Sequence, residues 1–261
     1  MPTDPSPRTI AILAYPGGIG DALFQLPFLR ALRHAFPAAH ITWFTDGIVC
    51  RYSTEPMQGF AAGTLDAIRT ELPLGRYWQH IFRRLPPFEP FDLVIDLRSR
   101  WRHVLYGRRL PHRRYIASAA GYALSDRRPP RGQRRLPHTV DRMLQMVALA
   151  SGAPAVPGRL ALPASYEQTV AALFPAGATY IAFAPGAGDR RKVWPLERSI
   201  EVARRQQAKG RVPVFLLGPA ELDWQASIAA ALPQALFPLP KLPLPFSTWL
   251  VSLLLDAFLK I

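Results

Sequence analysis

Apolar and polar positions fall in blocks along this chain, and the order of the blocks repeats. Residues 9–15, "TIAILAY", are short, apolar and ended by Pro16-Gly17-Gly18, the pattern of a buried strand. Beyond Asp21, apolar side chains recur at Ala22, Leu23, Leu26, Leu29, Leu32 and Phe36, which is a helical period. Pro27 sits inside that pattern and predicts a short first turn followed by a kink or restart. "HITWFT" (40–45) is the next strand. Strand, helix and strand joined by short links form a βαβ unit, with a parallel sheet and a right-handed crossover. "FDLVIDL" (91–97) adds a strand to the same sheet, and "TVDRMLQMVALASG" (139–152) reads as a closing helix stopped by Gly152.

Residues 153–164, "APAVPGRLALPA", hold three prolines and a glycine and read as a linker. The pattern then starts again. "TYIAFA" (179–184) is a strand, "PGAGDRRKVWP" a glycine-containing loop, and "LERSIEVARRQQAKG" a helix ending at Gly210. "VPVFLLG" (212–218) is a further strand, "PAE" its loop and "LDWQASIAAAL" the next helix. The chain is thus α/β, with Rossmann-like doubly wound domains at 1–152 and 165–261 and a linker at 153–164. Two such domains would put a cleft at the carboxyl ends of their sheets, where α/β sheets bind ligands. Residues 233–246 carry five prolines, and "STWLVSLLLDAFLKI" follows. The second half therefore has two clear strands, with "AFLKI" as a candidate third, and three strands are few for a complete domain.

Charge adds a partner. The formal net charge is +14, and only four of the 32 basic residues are lysines. Twelve arginines lie between Arg98 and Arg135, where Asp126 is the one acid. That density attracts phosphates, nucleic acid or an anionic membrane surface, although a general drift toward arginine and proline would also supply part of it. The single cysteine, Cys50, excludes an internal disulfide and suits a reducing compartment. The start, "MPTDPSPRT", lacks a signal-peptide layout, and no run approaches the roughly 18 apolar residues of a membrane span. The expectation is a soluble, cytoplasmic protein.

Candidate chemistry lies in the loops. The first glycine loop is neither a P-loop nor G-x-G-x-x-G. It offers close backbone approach, and at a helix start Asp21 is either a cap for a backbone N–H or a carboxylate facing substrate. In "DRRKVWP", Arg190, Arg191 and Lys192 precede a helix. Cations there oppose the helix dipole unless an anion such as a diphosphate joins them; a solvated basic turn is the plain alternative. Glu221 follows the next strand, and is either an ordinary acid of a first helical turn or a partner for ribose hydroxyls. Asp96 and Arg98 are either an ion pair or cleft-lining groups, and His138 is a cap-region histidine beside the arginines. His80, His103 and His112 show no metal-ligand spacing, so no metal site is expected.

Three segments in order, "GGIGDALFQLPFLRALRHAFP" with "HITWF", then "APGAGDRRKVWPLERSIEVARR", then "VPVFLLGPAE", resemble the heptosyltransferases of glycosyltransferase family 9. The resemblance spans about residues 8–221. It implies a GT-B fold whose N-terminal domain takes the acceptor and whose second domain takes an ADP-sugar. It implies inverting, metal-independent transfer of a heptose or related sugar to the phosphorylated inner core of lipopolysaccharide, at the inner face of the inner membrane. Asp21 would be the general base, and Gly18, Gly20, Arg98, Arg100 and His138 would meet the acceptor. Gly186, Lys192 and Glu221 would bind the nucleotide sugar, Lys192 at the diphosphate and Glu221 at the ribose. No cofactor is implied. The family's Asp-Ser/Thr-Gly-x-x-His motif is not present after "LLLDAFLKI", so a C-terminally truncated member is expected, with exposed apolar surface around Leu250–Phe258. Two other readings stand beside it: an inactive remnant that binds anionic glycolipid, and a basic nucleic-acid-binding protein. Against the latter, aromatics are not interleaved with the arginines as a stacking platform requires.

Overall fold

The computed structural model describes residues 6–15, 18–45, 50–53, 57–70, 72, 82, 84–133, 136–158, 168, 171–174, 176–187 and 190–238. The chain divides into two compact units, Met1–Leu160 and Ala161–Ile261. Half of the expected linker (159–164), His80, the strand expected at 257–261 and the apolar stretch at 250–258 lie outside the described residues.

The first unit is built on five parallel strands: β1 (Thr9–Leu13), β2 (His40–Phe44), β3 (Ala67–Arg69), β4 (Phe91–Asp96) and β5 (His112–Ala117). Their order across the sheet is β3-β2-β1-β4-β5. β1 pairs with β2 from Thr9↔His40 to Leu13↔Phe44, and with β4 from Ile10↔Leu93 to Leu13↔Asp96. Side chains of a strand alternate between faces. Ala11 and Leu13 join Phe44, Val94, Val104, Tyr115 and Ala117 in one buried cluster. Ile10 and Ile12, on the opposite face, are also fully buried.

The helices are α1 (Ile19–Ala35), α2 (Met57–Ala61), α3 (Trp101–Gly107), the single turn α4 (Ala119–Tyr122) and α5 (Thr139–Ser151). α1 packs against α5. The break expected at Pro27 is corrected: α1 is one helix through that proline. A mid-helix proline costs about 3 kcal/mol or more, but Leu26, Phe28, Leu29 and Leu32 are all within 3% of full burial. Each such side chain contributes about 1.5–3 kcal/mol, so packing outweighs the lost hydrogen bond. α5 stops where expected, at Gly152 in the left-handed region (φ 78°), whose N–H bonds Ala148 O at 2.8 Å.

The second unit has β6 (Thr179–Phe183) and β7 (Arg211–Phe215), paired in parallel from Thr179↔Arg211 to Phe183↔Phe215. α6 (Leu196–Gln207) and α7 (Gln225–Ala231) follow the two strands. Phe183 stacks on Phe215 with centroids 5.1 Å apart, over a cluster of Ala203, Leu217, Ile228 and Leu232. Leu236 extends the pair by a parallel bridge to Val214, its N–H bonding Pro213 O at 2.9 Å.

Candidate active site

In the first unit the strand order reverses between β1 and β4, and open α/β sheets bind ligands in the crevice beyond the carboxyl ends of strands at such a switch. The segments leaving those two ends are the glycine turn before α1 and the stretch Leu97–Arg100 before α3.

At the glycine turn, Gly18 is the N-cap of α1 and Asp21 is its third helical residue. One carboxylate oxygen of Asp21 accepts the Gly18 N–H at 3.0 Å. Asp21 and Gly20 are exposed, and a Cβ at Gly20 would meet nothing within 4 Å. Asp21 thus serves the cap while its carboxylate stays open to solvent. Gly17 lies outside the described residues.

Arg98 corrects an expectation. Its guanidinium is enclosed, with 0% side-chain exposure on both it and Asp96, and cannot meet an acceptor. Nε and Nη2 donate to the two oxygens of Asp96 at 2.7 and 2.6 Å, Nη2 also donates to His103 O at 2.8 Å, and Tyr115 O–H donates to Asp96 at 2.5 Å. Burial pulls the guanidinium down, but the charge and hydrogen bonds of Asp96 win and hold it above its ordinary value. Burial, then Asp96, pushes the Tyr115 phenol well up. Gly107 closes the cluster: a Cβ there would lie 2.5 Å from Tyr115 Oη, 2.6 Å from Arg98 Nη2 and 2.7 Å from Asp96 Oδ2.

Among the described residues of the arginine run, several guanidiniums are spent on internal partners. Arg108 pairs with Asp126 at 2.9 Å and bonds Leu124 O. Arg114, Arg127 and Arg128 donate to the carbonyls of Ala150, Leu149 and Ala123. These guanidiniums satisfy carbonyls at and just past the C-terminal ends of α4 and α5, which their many donors suit. Arg100 is exposed at the N-cap of α3, and with Ser99, Trp101, Arg102 and Ala120 it lines an open depression of about 400 Å³. Ala120, Gly121 and Tyr122 there have φ of 50°, 63° and 66°. His138 is the exposed N-cap of α5 and its side chain makes no capping bond.

His103, on α3, is 3% exposed. Its Nε2 faces Arg102 Nε at 3.2 Å and the Tyr15 hydroxyl at 3.3 Å, and Nδ1 has no partner. Burial lowers its pKa below the ordinary 6.5. A histidine so lowered adds stability that is present above the unfolded value and is lost as pH falls from about 6.5 toward the lower folded value. The urea midpoint of the protein is therefore expected to drop between about pH 7.5 and 5.5, and less so in His103→Gln; equal drops in both would refute this. Asp66 and Asp92 act in a separate window. Burial pushes their carboxyls up, but backbone N–H bonds and arginine charges prevail and lower them, so their contribution fades only below about pH 4.

In the second unit, Gly186 and Gly218 each stand three residues beyond the paired strand ends Phe183 and Phe215. Glu221, 7% exposed, folds its carboxylate against both. A Cβ at Gly186 would lie 2.6–2.9 Å from the Glu221 carboxyl atoms, and one at Gly218 would lie 2.7 Å from Oε2. The two glycines leave the space that this carboxylate occupies, and among the described residues no hydrogen bond or ion pair to it is seen. Lys192 is exposed on a 3-10 turn, Arg190–Lys192, ahead of α6. α6 begins at Leu196, and Glu197 supplies an acid in its first turn. Among the described residues no group of three or more His, Cys, Asp or Glu is placed to hold a metal, and no helix is long and apolar enough to cross a membrane.

The sequence of residues 81–245 matches the family described as glycosyltransferase family 9 (heptosyltransferase). The chain belongs to that family, and its fold is the GT-B fold of these glycosyltransferases. The matched stretch includes Arg98, Arg100, His138, Gly186, Lys192 and Glu221, and Asp21 precedes it. An E. coli heptosyltransferase, WaaC, solved with ADP-2-deoxy-2-fluoro heptose, is similar at TM-score 0.52 and 17% identity, over 90% of this chain and 76% of that one. E. coli ADP-heptose LPS heptosyltransferase II gives 0.51 and 15%, over 92% and 75%. A family 9 glycosyltransferase from Veillonella parvula gives 0.50 and 18%, over 88% and 69%. No curated protein sequence matches the chain.

Proposed function

We propose that the chain transfers a heptose or related sugar from an ADP-sugar to the phosphorylated inner core of lipopolysaccharide, with inversion and without a metal. The observation that carries the reading is the carboxylate of Glu221 held against Gly186 and Gly218 at adjoining strand ends. A nearly enclosed carboxylate with no cation on it among the described residues suits neutral hydroxyl donors, and a ribose diol supplies two. Lys192 would neutralise the diphosphate as the glycosidic C–O bond breaks and ADP leaves. Asp21 takes the proton from the acceptor hydroxyl as its oxygen bonds the anomeric carbon. Arg100, in the depression with Trp101, and His138 serve the acceptor side. The work belongs at the cytoplasmic face of the inner membrane, where exposed arginines favour anionic lipid.

Calorimetric titration with ADP tests the reading. The wild-type chain should bind, and Glu221→Ala and Gly186→Ala should each weaken binding by about tenfold or more, roughly 1.4 kcal/mol. Absence of ADP binding by the wild type would overturn it.

A further inference from the structure

We infer that His103 is a positioning residue for the glycine turn that carries Asp21, acting through Tyr15; the inference rests on the assignment of Asp21 as base. Tyr15 lies two residues beyond β1 and six before Asp21, and His103 belongs to the helix that follows β4. Their contact therefore crosses the switch point of the sheet. The rings meet edge-to-face, with centroids 5.0 Å apart at 80°, and the Tyr15 hydroxyl lies 3.3 Å from Nε2.

The place of His103 is itself fixed from below. Its carbonyl accepts Arg98 Nη2 at 2.8 Å, which ties it to the enclosed Asp96–Arg98–Tyr115 cluster. Its Nε2 accepts Arg102 Nε–H, so the ring is protonated at Nδ1 and the single Nε2 lone pair is shared between Arg102 Nε–H and the Tyr15 hydroxyl. Among the described residues Tyr15 makes no other side-chain hydrogen bond or ring contact. It also lines a cavity of about 10 Å³ with Gln25, Thr45 and Tyr52, the size of one water. Thr45, fully enclosed and with no partner for its Oγ1 among the described residues, lines the same cavity. A Tyr15 released from His103 has an acceptor to turn to, and Gly18, three residues on at the N-cap of α1, then loses a fixed point upstream.

Two amides report on that turn: Gly18 N–H, bonded to Asp21, and Ala22 N–H, bonded to Gly18 O at 3.1 Å. Their hydrogen exchange is measured in the wild type, His103→Phe, His103→Gln and Tyr15→Phe. His103→Phe keeps the ring edge and removes the acceptor. It should speed exchange of both amides by about tenfold or more while Ile12 and Ile95 stay protected. Tyr15→Phe should do the same, and His103→Gln, which returns an acceptor, should recover most of the protection. In transfer assays His103→Phe should lower kcat with KM for the nucleotide sugar unchanged. Wild-type exchange in His103→Phe would overturn the inference, and so would loss of protection across β1 and β4 together, which marks a fold residue. The exchange measurement needs no turnover, so a chain that transfers no sugar would count against the base assignment while exchange still decides the hold of His103 on the turn.

Discussion

Asp21→Asn is expected to lower the rate of sugar transfer by about 10²- to 10⁴-fold, the span that a positioned general base contributes, with ADP affinity unchanged. The asparagine oxygen can still accept the Gly18 N–H that the aspartate accepts at 3.0 Å, so the start of α1 is retained and only the basicity is lost. Asp21→Ala removes both. It should show the same loss of transfer together with about 0.5–1 kcal/mol of destabilisation from the missing cap. The pair of variants separates the two roles of one carboxylate. If Asp21→Asn transfers sugar at the wild-type rate, Asp21 is a cap and nothing more. The measurement is single-turnover transfer from an ADP-sugar, with thermal melts of each variant alongside.

The largest effect on stability is expected at Asp96. Asp96→Ala leaves the Arg98 guanidinium, with 0% exposure, facing no carboxylate. Breaking an enclosed pair from one side costs about 3–5 kcal/mol, a fall in Tm of roughly 10 °C or more for a unit of this size. The double variant Asp96→Ala/Arg98→Met should recover much of that, because an apolar pair carries no uncompensated charge. A single variant within about 1 kcal/mol of wild type would show that water reaches the guanidinium. Differential scanning calorimetry reads both. The same variant should loosen His103, whose carbonyl Arg98 holds.

Where the sequence was readable, one feature decided the outcome locally. The apolar runs of β1, β2 and β4 and the glycine stop at Gly152 needed no partner to be recognised. β5, "HRRYIA", was not readable as a strand, because its first half is charged and only Tyr115, Ile116 and Ala117 are fully buried. Pro27 misled because the rule for proline is local while the packing of Leu26, Phe28 and Leu29 is not. Arg98 reads like any exposed arginine after an acid. Its enclosure depends on Tyr115, which only the pairing of β4 with β5 brings to it, and on Gly107 at the end of α3. In the second unit the glycines three residues past each strand were visible. That they make room for Glu221 depends on the register Phe183↔Phe215.

The strand order also sets a timetable. β1 is made first, yet it lies in the middle of its sheet and pairs with β4, whose residues begin about eighty positions later. During synthesis one edge of β1 stays unpaired until Asp96 has left the ribosome, and pairing between distant segments is slow. A nascent chain halted between β2 and β4 would present that apolar edge to its neighbours, the arrangement most prone to aggregation.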